Sequence, residues 1–131
     1  MKYVYPAIFT VEDDGILVEF PTLEGCYTDG ATMEEAFENA EDVLNLTLMS
    51  MENHGEPIPR PLKVSELKVP NGATVSLIRA DTLAYRKKVE NKAVRKNISI
   101  PAWLNDIVVA KNISLSNFLQ NALIRELGLQ S

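Results

Sequence analysis

The sequence predicts an α+β protein in two parts, a sheet-and-helix domain over residues 1–80 and a strand-helix-helix tail over 93–131, joined by a connecting helix over 81–92. Three observations carry this. Between Tyr3 and Ala31, runs of aromatic and β-branched residues are punctuated by turns that hold Gly and Pro. After Thr32 a single long stripe of apolar residues recurs at helical spacing. The charge also divides: residues 1–80 hold 5 Lys+Arg against 14 Asp+Glu, a balance of −9, whereas residues 81–131 hold 8 against 4, a balance of +4.

A chain of 131 residues has room for one ordinary domain or two small ones, and its 46% hydrophobic content is that of a soluble globular protein. No apolar run approaches the roughly 18 residues that span a bilayer, and no basic segment followed by an apolar one opens the chain, so a cytoplasmic protein without membrane contact is expected. Cys26 is the single cysteine and excludes an intrachain disulfide. The net charge of −5 argues against nucleic acid only as an average. The split suggests two partners of opposite sign, phosphates for the basic tail and a basic protein for the acidic part, although solubility alone also accounts for an acidic surface.

Tyr3 to Val11 reads as a strand in which Pro6, lacking an N–H, favours an edge or a bulge. Glu12-Asp13-Asp14-Gly15 turns the chain into Ile16 to Phe20, with Ile16, Val18 and Phe20 on one face and Leu17 and Glu19 on the other. Pro21 to Gly25 is a second turn, and Cys26 to Ala31 supplies a third short strand. Thr32-Met33-Glu34-Glu35 has the form of a capping box. It opens a helix whose apolar stripe is Met33, Phe37, Ala40, Leu44, Leu48 and Met51, and Gly55 stops it, followed by Pro57, Pro59 and Pro61. Asn71-Gly72 turns into a strand from Ala73 to Arg79, with Val75 and Leu77 facing opposite to Thr74, Ser76 and Ile78. Asp81 to Lys92 is helical but polar and basic, with Leu83, Tyr85 and Val89 as its packing residues.

Val94-Arg95-Lys96-Asn97-Ile98-Ser99-Ile100-Pro101 alternates as a strand, with Ile98 and Ile100 on one face and Arg95, Asn97 and Ser99 on the other. No second strand follows before the chain enters two helical patterns, Ala102 to about Lys111 and Leu115 to about Leu127. A lone strand leaves its backbone groups unpaired, so its expected partner is the same segment of a second chain, and the unit is an obligate dimer.

At Ser99-Ile100-Pro101, Leu104, Ile107, Val108, Asn112-Ile113-Ser114-Leu115-Ser116, Phe118, Ala122 and Ile124, the tail resembles the ribbon-helix-helix family of DNA-binding proteins. Asn112 stands where that family often has Gly, and Asn tolerates the left-handed conformation. The resemblance implies a two-stranded ribbon in the major groove. Arg95, Asn97 and Ser99 are then the base-reading candidates, with Lys96 replacing them if the register slips by one. Lys92 and Lys96, with the first-turn amides at Ser114, Leu115 and Ser116, are the phosphate candidates. Ile98, Ile100, Leu104, Ile107, Phe118 and Ala122 would form the dimer core.

A longer resemblance covers nearly all of residues 3–61. Tyr5-Pro6-Ala7-Ile8-Phe9, Asp14-Gly15-Ile16, Phe20-Pro21-Thr22-Leu23-Glu24-Gly25-Cys26, Asp29-Gly30, Thr32-Met33-Glu34-Glu35-Ala36, Asn39-Ala40 and Gly55-Glu56-Pro57-Ile58-Pro59 look like the HicB antitoxin family. This implies a partial RNase H-like N-terminal domain that binds and blocks a HicA-like mRNA-cleaving toxin, and a C-terminal domain that represses the operon by binding operator DNA. Such a protein is no enzyme and needs no cofactor or metal. Whether its dimers pair into tetramers stays open. The rival is a stand-alone ribbon-helix-helix regulator whose N-terminal domain senses a ligand or builds oligomers.

Other residues carry less. Asp13, Asp14 and Glu19 invite a metal-nuclease reading, but Asp beside Gly15 is ordinary turn chemistry. His54 suits the negative end of the long helix, and no Cys or His cluster surrounds it. Cys26 reads as a small buried hydrophobe. Trp103 packs against the N-terminal domain or in the dimer core, the core being preferred.

Overall fold

A computed structural model describes residues 1–129. The chain forms two compact units, Met1–Lys92 and Ala93–Ser131. In the first, strands β1 (Lys2–Glu12), β2 (Gly15–Glu19) and β3 (Tyr27–Gly30) precede the long helix α1 (Met33–Asn53), and β4 (Thr74–Asp81) runs directly into α2 (Thr82–Val89). The sheet is wholly antiparallel in the order β3-β2-β1-β4.

One face of the sheet packs on α1. Tyr5, Ala7, Phe9, Ile16, Val18, Phe20, Ile78 and Ala80 meet Ala36, Ala40, Leu44 and Leu48, all buried. Burial of a side chain such as Leu44 or Leu48 contributes about 1.5–3 kcal/mol. Phe9 and Phe37 stack with ring centroids 4.6 Å apart. The expected alternation of β2 is present, with Ile16 and Val18 buried and Glu19 exposed.

Pro6 departs from expectation, since β1 is a central strand of the sheet. The register gives the reason. β2 pairs only with Ile8 through Glu12, while β4 pairs with Lys2 through Phe9, so at Pro6 a strand lies on one side only. Locally it is an edge.

Thr32 caps α1, its hydroxyl accepting from Glu35 N at 3.2 Å. The stripe is rotated from the one expected at its start: Met33 is 43% exposed and Ala36 is fully buried. The cause lies in β3, where a Cβ on Gly30 would stand 2.4 Å from Ala36 N. Gly30 and Ala36 let the first turn rest on the sheet at backbone distance, which excludes a Met from that contact. The helix ends in a Schellman motif, with Gly55 N donating to Glu52 O, Glu56 N to Met51 O, and Gly55 at φ +64°.

The segment 54–73 crosses the molecule with one 3₁₀ turn at Val64–Glu66. Tyr5 Oη donates to Pro59 O, Leu62 N donates to Thr22 Oγ1 at 3.2 Å, and Ile58 packs on the core. The turn before β4 closes by Ala73 N to Pro70 O at 3.1 Å, with Gly72 at φ +83°.

In the second unit, 94–101 has no strand partner among the described residues, and helices α3 (Ala102–Ala110) and α4 (Leu115–Glu126) follow. Asn112 takes φ +53° and closes α3 by a second Schellman motif, Asn112 N to Val109 O and Ile113 N to Val108 O. Neither helix has a buried residue.

Candidate functional site

Arg95, Lys96, Asn97 and Ser99 are exposed, as is Lys92 at the end of the first unit. Arg95, Asn97 and Ser99 alternate along an extended segment that ends at Pro101, the N-cap position of α3. Among the described residues no ladder sets the direction of these side chains. Ser114 occupies the N-cap of α4, yet its side chain makes no cap hydrogen bond, which leaves the turn of Leu115 and Ser116 without a side-chain acceptor. Ser116 Oγ instead accepts from Gln120 Nε2 at 3.2 Å.

The apolar residues of the tail are open. Ile98 is 51% and Phe118 64% exposed, Leu104 and Ile107 are exposed, and Ile100 and Ala122 are half-buried. Trp103 is 65% exposed. A unit of about 40 residues with no buried side chain among those described lacks the core that holds small domains together.

The acidic part has its own distribution. α1 carries Glu34, Glu35, Glu38, Glu41, Asp42 and Glu52 and no Lys or Arg. At the β1-β2 turn, Glu12, Asp14, Asp29 and Glu35 surround a cleft of about 340 Å³. Asp13 and Asp14 occupy the turn itself, and Glu19 stands at the far end of β2, roughly 15 Å along the strand by its rise per residue. The structure thus does not bring these three carboxylates together.

A polar node, invisible in the sequence, fastens α2 to the rest of the first unit. Glu52 near the end of α1 accepts from Tyr3 Oη at 2.7 Å, from Thr82 Oγ1 at 2.9 Å and from Arg86 at 3.1 Å. Thr82 is fully buried, its N–H donates to Met1 O, and its hydroxyl accepts from the Met1 amino group at 3.1 Å. Burial alone pushes the Glu52 carboxyl up, but hydrogen bonds from Tyr3, Arg86 and Thr82, together with the amino terminus, override it and hold the group below its ordinary value. Burial and the Glu52 carboxylate push the Tyr3 phenol up to about 12.

Asp81 caps α2 through Ala84 N, Tyr85 donates to Asp42, and Arg86 reaches Met49 O. The connecting helix expected over 81–92 stops at Val89 and falls within the first unit; of its expected packing residues Leu83 and Tyr85 are half-buried and Val89 is exposed. Polar side chains supply most of the contacts that hold it.

Cys26 is buried, accepts from Thr47 Oγ1 at 3.5 Å, and its thiol is pushed up by burial, as suits an inert core residue. His54 Nδ1 lies 2.7 Å from Ser50 O at the end of α1.

A model of the family described as "HicB_like antitoxin of bacterial toxin-antitoxin system" matches residues 5–122. A UPF0150 protein of Thermoplasma acidophilum is 39% identical over 57 residues, which are 43% of this chain and 83% of that one. Among solved structures, a toxin-antitoxin complex from Streptococcus pneumoniae superposes with a TM-score of 0.62 at 21% identity, covering 96% of this chain and 99% of that one. A HicA3 and HicB3 toxin-antitoxin complex superposes at 0.50 with 24% identity, covering 60% and 99%. At these identities the likeness is one of fold.

Proposed function

Since the chain belongs to the HicB-like antitoxin family of bacterial toxin-antitoxin systems, we propose that its acidic unit binds and occludes a HicA-like mRNA-cleaving toxin, and that its tail dimerises and represses the operon through operator DNA. In this reading residues 1–80 form a partial RNase H-like domain that touches the toxin and does no chemistry, and 93–131 form a ribbon-helix-helix dimer. The protein acts in the cytoplasm. The observation that carries the DNA half is the tail, an unpaired alternating segment followed by two helices with no buried residue. A second copy would pair the segment, cover Ile98, Ile100, Leu104, Ile107, Phe118 and Ala122, and align Arg95, Asn97 and Ser99 as one row for base edges. Lys92, Lys96 and the uncapped turn at Ser114, Leu115 and Ser116 would then contact phosphates. Trp103 fits beside that apolar core.

Inhibition works by covering the active surface of a basic ribonuclease. The run of Glu34, Glu35, Glu38, Glu41 and Asp42 on α1, a helix without Lys or Arg, supports this, because opposite charge steers encounter and fixes orientation. The test is to look for a small basic reading frame beside the gene and to co-express its product with this chain. A stable complex that abolishes RNA cleavage, and a shift of DNA from upstream of the operon, are expected. Failure to bind or silence the toxin removes the first half; failure to bind that DNA removes the second.

A further inference from the structure

The acidic unit gathers its few cations unevenly. Residues 1–80 hold five, of which Arg60, Lys63 and Lys68 lie in the segment between α1 and β4; the other two, Lys2 and Arg79, stand together on the sheet. Lys2 pairs with Asp81 and Val4 with Arg79, which sets Lys2 and Arg79 on one face as diagonal neighbours, roughly 7–8 Å apart. Lys88 joins them from α2, and the three line a groove of about 680 Å³ whose carboxylates are Glu41 and Asp81. Asp81 is already engaged, its side chain capping α2 through Ala84 N. Among the described residues the single salt bridge is Arg86 to Glu52, so all three cations of the groove are unpaired in a unit rich in carboxylates.

Aromatic rings supply another part of the wall. Tyr85 donates to Asp42 at 3.2 Å and Tyr3 to Glu52 at 2.7 Å, so both rings are held in place before any ligand arrives. The volume is that of a small-molecule site, and a flat wall beside a few converging charges is what such sites present. We propose that the groove binds a nucleoside diphosphate, its phosphates between Lys2, Arg79 and Lys88 and its base against Tyr85. Three positive charges match the about three negative charges of a diphosphate ester at neutral pH. A nucleic-acid strand fits less well, because it must continue past the groove, where α1 carries Glu38 and Asp42 beside Glu41.

The site is independent of the toxin and of the tail. Isothermal titration of the full chain with ADP, GDP, CDP and UDP tests it. At least one is expected to bind at a single site per chain, more tightly than pyrophosphate or the matching nucleoside, and to raise the urea midpoint. Arg79→Glu and Lys88→Glu should each weaken it about tenfold or more, whereas Lys87→Glu, the same change of charge on α2 outside the groove, should leave it within about twofold. No diphosphate bound at about millimolar concentration, pyrophosphate bound as tightly as the nucleotide, or equal losses for Lys87→Glu and Lys88→Glu overturns the site. Capture of a single-stranded oligonucleotide that Arg79→Glu and Lys88→Glu abolish, with no nucleotide bound, assigns the cations to nucleic acid and also overturns it.

Discussion

Replacing Glu52 tests what fixes α2 to the acidic unit. The carboxylate accepts from Tyr3, Thr82 and Arg86, and a hydrogen bond to a charged group contributes about 1.5–3 kcal/mol. The three do not simply add. Arg86 is 29% exposed, which screens its share, and Thr82 Oγ1 keeps Met1 O within 3.2 Å as an alternative acceptor. Glu52→Ala is therefore expected to cost about 2–4 kcal/mol, a large part of the roughly 5–14 kcal/mol typical of a unit of this size. Because the folded state holds this carboxyl below its ordinary value, its stabilisation is complete above the usual carboxylate range and is lost as pH falls through that range to the lowered value. Urea unfolding of wild type and Glu52→Gln, followed by circular dichroism from neutral to acid pH, should show a gap that closes on acidification. A cost below about 0.5 kcal/mol for Glu52→Ala, or a gap constant with pH, would refute the reasoning.

Three further outcomes are expected, the second of them resting on the proposed DNA-binding tail. Gly30→Ala would drive a Cβ into the backbone of Ala36 and should cost about 1–3 kcal/mol, read by the urea midpoint; a neutral change would mean that α1 shifts without penalty. Arg95→Ala should cost about 1–3 kcal/mol at the cognate operator and relax base preference, whereas Lys92→Ala should weaken all DNA and lower the salt slope by roughly one; equal losses on specific and random DNA would make Arg95 a phosphate contact. The raised Tyr3 phenol favours the neutral form in the folded state, so its stabilisation is complete below pH 10 and lost as pH rises toward about 12. Tyr3→Phe should flatten that alkaline limb, and an ultraviolet titration showing no late phenol would contradict it.

The parts of the fold that depend on local chemistry were legible. The β1-β2 hairpin, the Thr32 cap, the Gly55 stop, the left-handed Asn112 and the two tail helices each follow from a residue and its near neighbours in the chain. What escaped depends on residues far apart in sequence. Ala36 replaces Met33 in the α1 stripe because Gly30 demands a close approach, and nothing inside the helix announces that. Pro6 in a central strand is explained by the short reach of β2, a matter of register. Glu52, Tyr3, Thr82 and Arg86 converge from positions far apart in the chain, and a set of polar contacts has no period to detect. For the tail, alternation predicted which residues share a face, but the pairing that would orient them lies outside a single chain.

Nothing is buried among the described residues of the second unit, so a tail that dimerises as proposed would make its folding a matter of dosage. A segment ordered only by pairing would form by mass action, so the amount of assembled DNA reader would climb with the square of protein concentration at low abundance and level off once partners are plentiful. A repressor built this way would leave its own promoter open while the protein is scarce and shut it above a threshold, with no effector molecule to set the point.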